Sequence, residues 1–130
     1  MQRFGNTFVR AILRSPLHRL LSGSLLLVTY TGRRSGRTFT IPVMYVQDGY
    51  DLLVYVGRSV RKVWWRNLRG GARVRVRLRG QKLEGTGTPV RGDAGVRERY
   101  LSRFPRAARP LAADPAPIFV RMTRLRSAES

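Results

Sequence analysis

Residues 73–79 read RVRVRLR, and no other stretch restricts the fold of this chain as strongly. Val74, Val76 and Leu78 alternate without a break with Arg73, Arg75, Arg77 and Arg79. A period of two sends the aliphatic side chains to one face of an extended segment and the guanidiniums to the other. A helix of the same residues would mix charge and hydrocarbon around its whole circumference. Charges on one face also exclude a parallel sheet buried on both sides. The stretch therefore predicts an antiparallel sheet with one face on a core and one in water.

Other segments extend that sheet. Residues 24–31 form an apolar, β-branched strand. Residues 38–46 form another, with Pro42 inside it, which implies a bulge or an edge position where no ladder donor is needed. Gln47-Asp48-Gly49 is a turn, and residues 51–57, DLLVYVG, are a third strand. Residues 60–69, VRKVWWRNLR, read as a helix stopped by Gly70-Gly71. On a helix Val60, Trp64 and Leu68 share a face, which sends Trp64 to the core and Trp65 elsewhere, toward a cleft. Gly80-Gln81 turns the chain into a less regular strand over 82–90. Residues 93–104 predict a helix with Asp93 at its N-terminus, where a carboxylate is favoured. Residues 105–117 contain Pro105, Pro110, Pro115 and Pro117 and read as an irregular loop. Residues 118–125 are a last strand, followed by a fraying tail.

Six mostly antiparallel strands in a chain of 130 residues predict a mainly β fold with flanking helices. Closing or splitting the sheet into a barrel removes exposed edges. The expected organisation is a single domain: a barrel over 24–126, preceded by a helical segment over 1–23. In residues 2–14, Phe4, Phe8, Val9 and Ile12 fall on one side of a helix and Arg3, Arg10 and Arg14 on the other. Such a basic amphipathic helix packs on its own domain or docks on an anionic membrane surface. Pro16 ends it, Leu17, Leu20 and Leu21 continue as a short helical piece, and His18 is expected at the surface.

Charge separates the function classes. There are 26 basic residues against 7 acidic ones, a formal net charge of +19, and all the basic residues except Lys62 and Lys82 are arginine. A surface this basic attracts nucleic acid, anionic membrane or anionic ligands. With no cysteine and one histidine, thiol catalysis, cysteine-based metal sites and a Ser-His-Asp triad are excluded, and no metal is expected. No apolar run approaches the length of about 20 residues that spans a bilayer. Residues 1–23 lack a secretory pattern, so the expected location is cytoplasmic, or peripheral on the inner face of the membrane if residues 2–14 dock there. The arginine face of RVRVRLR has no interleaved aromatic residues to stack on bases, so it reads as a solvated sheet face and no specific nucleic acid is expected.

The stretch TGRRSGRTFTIP, residues 31–42, carries the sharpest chemical signal. Backbone N–H groups in a glycine-containing turn can form a concave anion site. Arg33, Arg34 and Arg37 add forked donors suited to phosphate or carboxylate, and Ser35 adds a hydroxyl. The plain alternative is a solvated basic hairpin loop, and composition leaves the two open. Neither a Walker A loop nor a G-x-G-x-x-G turn is present. The second stretch, residues 56–71, sets Arg58, Arg61 and Lys62 just before Trp64 and Trp65. It suits a flat aromatic ligand with an anionic end, or a helix packed by both indoles.

In order, the chain has an apolar strand, TGRRSGR at 31–37, a strand with Pro42, the Asp48-Gly49 turn, a strand, and Trp64-Trp65-Arg66-Asn67-Leu68. This pattern resembles the deazaflavin-dependent nitroreductase family, a branch of the flavin/deazaflavin oxidoreductases, over about residues 4–125. The resemblance implies a split β-barrel like that of pyridoxamine-phosphate-oxidase-type flavoproteins. It also implies coenzyme F420, a deazaflavin carrying a phosphate and an oligoglutamate tail, with FMN as the alternative. Carried over by position, the tail site is Arg33, Arg34, Ser35 and Gly36 with Arg37 beside it. Thr40, Ile41, Pro42 and Val43 would lie along the ring system. Arg58, Lys62, Val63, Trp64 and Trp65 would close the other side. Asn67 matches the motif, and Tyr45, Tyr55 and Trp65 are candidates for lining the pocket. The implied reaction is hydride transfer to a quinone, enone or nitro compound, with no catalytic side chain assigned and a homodimer plausible by resemblance. The segment over 57–62 is shorter than in the better-known nitroreductases, and residues 103–117 lack the tyrosines those enzymes place over the substrate. A non-catalytic basic module holding lipid or nucleic acid is the reading from another class.

Overall fold

The computed structural model describes residues 25–57, 63–78 and 80–128. The expected helix over 2–14, the piece around Leu17, Leu20 and Leu21, His18, Arg58 and Lys62 lie outside the described residues. The strands are β1 (Leu25–Thr31), β2 (Thr38–Met44), β3 (Val46–Asp48), β4 (Asp51–Tyr55), β5 (Ala72–Leu78), β6 (Gln81–Arg91) and β7 (Ile118–Ser127). Two helices, α1 (Ala94–Arg103) and α2 (Ala108–Ala113), and two 3₁₀ turns, Trp64–Leu68 and Pro105–Ala107, complete the described elements.

The strands form one sheet in the order β2-β1-β5-β6-β7-β4-β3, and every neighbouring pair is antiparallel. The two outermost strands, β2 and β3, are separated in the chain by Tyr45 alone. One residue can join opposite ends of a sheet only if the sheet curls until those ends meet. The result is a split half-barrel, as expected, but with seven strands in place of six. The difference arises at Tyr45, where the run over 38–46 breaks. Met44 still faces Leu25 of β1, whereas Val46 already faces Leu53 of β4, and Tyr45 turns the corner with its side chain in the core. Pro42 sits opposite Leu27 on the edge strand β2, where its missing N–H costs no ladder bond.

β5 follows its alternation. Val74 and Val76 are buried while Arg73, Arg75 and Arg77 are exposed. The interior cluster draws Leu26, Val28 and Tyr30 from β1, Val74 and Val76 from β5, and Val120 and Met122 from β7. A second cluster lies under the helices, where Val96 and Tyr100 of α1 and Leu111 of α2 cover Leu53 and Phe119. This explains why residues 52–54 do not alternate: Leu52, Leu53 and Val54 are all buried, because β4 has core on both faces. α1 begins where Asp93 Oδ1 accepts the Val96 N–H at 2.9 Å, a side-chain N-cap.

The irregular loop expected over 105–117 is instead a 3₁₀ turn followed by α2. Pro105 occupies the first position of that turn, where its absent N–H has no helical partner to lose. Leu111 supplies the buried contact. Tyr55 is anchored beside this region: its hydroxyl donates to Asp114 Oδ2 at 2.8 Å, and its ring packs on Tyr100 and Phe119. Burial, then the Asp114 contact, push its pKa well above the usual phenol value.

Candidate functional site

A cavity of about 510 Å³ opens at the end of the half-barrel where β1 runs into β2. Its walls come from Tyr30, Gly32, Arg33, Arg34, Ser35 and Phe39 on the β1–β2 hairpin and from Val63, Trp64, Arg66 and Asn67 around the first 3₁₀ turn.

The hairpin loop is tied down by short local bonds. The Gly32 N–H donates to the Arg37 carbonyl at 2.7 Å, and the Gly36 N–H donates to the Gly32 carbonyl at 3.0 Å. The Arg37 N–H donates to Ser35 Oγ at 3.1 Å. Gly36 has φ of 71°, a conformation that glycine adopts without strain. The Arg34 and Ser35 N–H groups find no acceptor among the described residues. Such donors are what an anion-binding turn presents.

Asn67 joins the two halves of the site. Its Oδ1 accepts the Arg33 N–H at 2.9 Å, and its Nδ2 donates to the Trp64 carbonyl at 2.9 Å. One amide thus fixes the arginine loop against the tryptophan turn. Tyr30, Phe39 and Trp64 make a continuous aromatic wall, with Tyr30 centroids 5.5 Å from Phe39 and 5.7 Å from Trp64. Burial raises the Tyr30 pKa, so the phenol is neutral at physiological pH. Phe39 and Val63, two of the exposed large apolar residues, form the rim.

Arg66 is the residue that sequence reading missed. It lines the cavity, its guanidinium lies 5.6 Å from the Trp65 ring centroid, and its Nε is buried without a hydrogen-bond partner among the described residues. A buried, unsatisfied donor on a cation is costly unless something anionic completes it. Among the described residues no carboxylate forms an ion pair with Arg33, Arg34, Arg37 or Arg66. The available signal was its place between Trp64 and Asn67 in a motif already singled out.

Of the residues expected at the site, the structure gathers Arg33, Arg34, Ser35, Val63 and Trp64 around the cavity. Gly36 and Arg37 shape the loop without lining it. Thr40, Ile41, Pro42 and Val43 continue along β2 outside the lining. Thr40 shares a 2.8 Å bond with Thr29 across the strands, and Ile41 and Val43 pack on the interior core. Tyr45 belongs to the core and Tyr55 to the helix-covered cluster, so neither lines this cavity. Both indoles pack on the interior core, Trp64 as expected, but it is Trp64 that also lines the cavity, while Trp65 lies beneath Arg66 and Arg69 outside the lining. The cause is helix type. A 3₁₀ turn repeats every three residues, not 3.6. Trp65 therefore shares a side with buried Leu68, and Trp64 shares one with Asn67.

A curled antiparallel half-barrel with a basic and aromatic cavity defines a split-barrel protein of the pyridoxamine-phosphate-oxidase type. More narrowly, the chain belongs to the F420H(2)-dependent quinone reductase family, whose sequence profile matches residues 3–120. That family is one of F420-dependent reductases, and the deazaflavin resemblance stands. No curated protein matches the chain. Among solved structures, an F420-H2 dependent reductase, FDR-A, is 19% identical, covers 75% of this chain and 93% of its own, and superposes with a TM-score of 0.62. A Listeria innocua protein assigned to the pyridoxamine 5'-phosphate oxidases is 12% identical, with coverage of 98% and 99% and a TM-score of 0.58. A third, described as a domain-swapped dimer, is 20% identical, with coverage of 89% and 98% and a TM-score of 0.56. At these identities the likeness carries the fold. No helix among the described residues is long and apolar enough to cross a membrane.

Proposed function

We propose that the chain is an F420-dependent oxidoreductase that reduces an electrophilic small molecule, a quinone, enone or nitro compound, and that the cavity under the β1–β2 loop receives the anionic part of the cofactor. The observation that carries this reading is Arg66. Among the described residues its buried Nε lacks a partner, in a cavity lined by Arg33 and Arg34 and by no acid. The residues fit an anionic deazaflavin, because forked cations and free loop N–H groups stand beside a flat aromatic wall.

Reduced F420, when bound, supplies a hydride from its deazaflavin ring. The protein's part is to bind and orient. Arg33, Arg34 and Arg66 hold phosphate or carboxylate groups, with Ser35 and the loop around Gly36 and Arg37 adding donors and charge. Thr40, Ile41, Pro42 and Val43 extend the ring-side surface along β2. Arg58 and Lys62, with Val63, Trp64 and Trp65, close the far side. Phe39 and Val63 give the entrance an apolar rim suited to a lipophilic acceptor. No side chain is assigned as acid or base, since water can protonate the reduced product.

The working unit in this reading is the barrel over 24–126, with residues 1–23 as a basic helical segment that contacts an anionic membrane from the cytoplasmic side. A homodimer is consistent with the domain-swapped dimer among the structural relatives.

The test is a titration of the apo-protein with F420 and, separately, with FMN, followed by quenching of Trp64 and Trp65 fluorescence. F420 should bind more tightly than FMN. Arg33→Ala/Arg34→Ala should weaken F420 by about 100-fold, as expected for losing two charge-assisted contacts. A preference for FMN that ignores both arginines would sink the reading. With F420 bound and reduced, oxidation by a quinone should be faster than by a nitroarene of equal potential.

A further inference from the structure

The outer face of β5, β6 and β7 carries a second concavity that the cofactor reading does not use. Its volume is about 470 Å³, and its charged lining is Arg73 of β5, Glu84 of β6, and Arg124 and Arg126 of β7. It exists because the β6–β7 ladder contains a bulge. Glu84 pairs with Arg126 and Thr86 pairs with Thr123, so Gly85 stands opposite two residues, Arg124 and Leu125. Any side chain at Gly85 would collide with the Thr123 carbonyl oxygen, so glycine holds the bulge in place.

The bulge changes where two arginines stand. Arg124 has φ of 56° and is the one non-glycine residue with positive φ among the described residues. Left-handed backbone at an arginine is strained, and glycine or asparagine is the ordinary occupant. Strain of this kind persists where something else requires it. Here Leu125 keeps its contact with the interior core, while Arg124 and Arg126 stay exposed beside Arg73. Three guanidiniums thus surround one concavity that contains one carboxylate. That carboxylate, Glu84 Oε1, lies 3.6 Å from Arg126 Nη2, and Thr86 adds a hydroxyl.

We propose that this bulge concavity binds a small oligoanion, a molecule with two or more adjacent phosphate or carboxylate groups. Guanidinium forks match such groups in pairs. The lining holds no aromatic residue, which disfavours a nucleic-acid strand that needs stacking platforms. Glu84 acts as a built-in competitor that keeps the site weak for single anions.

The test uses the full chain in an Arg33→Ala/Arg34→Ala/Arg66→Met background, so that the three arginines lining the first cavity do not contribute. Tripolyphosphate and triglutamate are titrated separately by calorimetry. One saturable site is expected, and whichever ligand binds more tightly identifies the phosphate or carboxylate source. Arg124→Gly should lower the affinity at least tenfold and raise the melting temperature, because glycine takes this φ without strain. Glu84→Gln should tighten binding. Absence of saturable binding in the background, or undiminished affinity in Arg124→Gly, overturns the proposal. So does binding confined to a polynucleotide.

Discussion

Arg121 and Arg66 are both partly buried arginines, but they stand in opposite surroundings. Arg121, on β7, bridges the hairpin between β3 and β4. Its Nη1 reaches Asp48 at 3.1 Å and Asp51 at 3.0 Å, and Arg99 of α1 adds a contact to Asp48 at 3.2 Å. Arg66 lies at the other site with a buried Nε and no acid. The contrast separates two uses of the same residue. Where the fold needs an arginine it supplies carboxylates, and it has only 7 to distribute. The acids that form ion pairs among the described residues go to Arg99, Arg121 and Arg126. Arg33, Arg34 and Arg66 receive none, which is the arrangement expected where the counter-ion comes from outside. Net charge alone could not have made this distinction, because it does not say which cations are left over.

The comparison can be broken most directly by ligand affinity. The loss of about 100-fold in F420 binding expected for Arg33→Ala/Arg34→Ala should leave the thermal midpoint unchanged, since neither side chain is paired within the fold. Arg121→Met should do the reverse. It leaves Asp51 without its ion pair and Asp48 with Arg99 alone, and should cost about 2 kcal/mol of stability in urea denaturation, with F420 affinity intact. Arg66→Met sharpens the contrast further, because methionine keeps much of the stem but removes an unsatisfied buried donor. The apo-protein should gain up to about 1 kcal/mol while F420 binding weakens. A destabilised Arg66→Met protein with normal affinity would make Arg66 a structural residue stacked on Trp65.

Asn67 tests whether the cavity depends on the joint between its two halves. Asn67→Ala removes the acceptor for the Arg33 N–H and the donor to the Trp64 carbonyl. Stability should fall by about 1 kcal/mol, and F420 affinity by about tenfold, through a loosened loop. Asn67→Asp keeps the acceptor for the Arg33 N–H but loses the donor to the Trp64 carbonyl, and it sets a carboxylate beside the arginines, so the binding defect should remain. Recovery of full affinity in Asn67→Asp would mean that the joint, not the charge, governs binding.

How much of this was legible in the sequence differs between the same two regions. The sheet was readable because β5 alternates strictly and because turn glycines mark its ends, as Gly49 and Gly80 do with φ of 64° and 81°. The β1–β2 loop was readable as a candidate anion site because its chemistry is local: glycines, arginines and a serine within seven residues. Arg66 was not readable. Its burial and its missing partner depend on the turn being 3₁₀, whereas a helical period had pointed Trp65, not Trp64, toward a cleft. α2 was hidden for a related reason: proline density suggests a loop unless Pro105 is seen to open a turn and Leu111 to pack in the cluster with Leu53 and Phe119. Tyr45 hid the seventh strand, since an apolar run does not reveal that its two halves belong to opposite ends of one sheet.

The smallest expected effect concerns the phenols, and it extends the comparison to groups that carry no charge at neutral pH. Tyr30 lines the basic cavity, whereas Tyr100 lies in the cluster under the helices, yet both are shifted in the same direction. Burial pushes Tyr100 up to about 12 and raises Tyr30 above the ordinary phenol value. If the unpaired arginines dominated the cavity electrically, they would favour the phenolate and lower Tyr30; burial instead raises it. A group that holds its proton more tightly when folded contributes stability that is fully present below its unfolded pKa, near 10. That stability disappears as pH rises through the folded value. The protein should therefore keep constant stability from pH 7 to about 9 as far as these tyrosines are concerned, and lose it between about 10 and 12. Tyr100→Phe should flatten part of that alkaline fall, and phenolate absorbance should report its titration directly. Bound F420 should raise the Tyr30 titration further, because an anion beside the phenol opposes its ionisation and excludes water from it. A Tyr30 that titrates lower with the ligand present would place the anionic groups away from the aromatic wall, and the cavity would then hold only the ring.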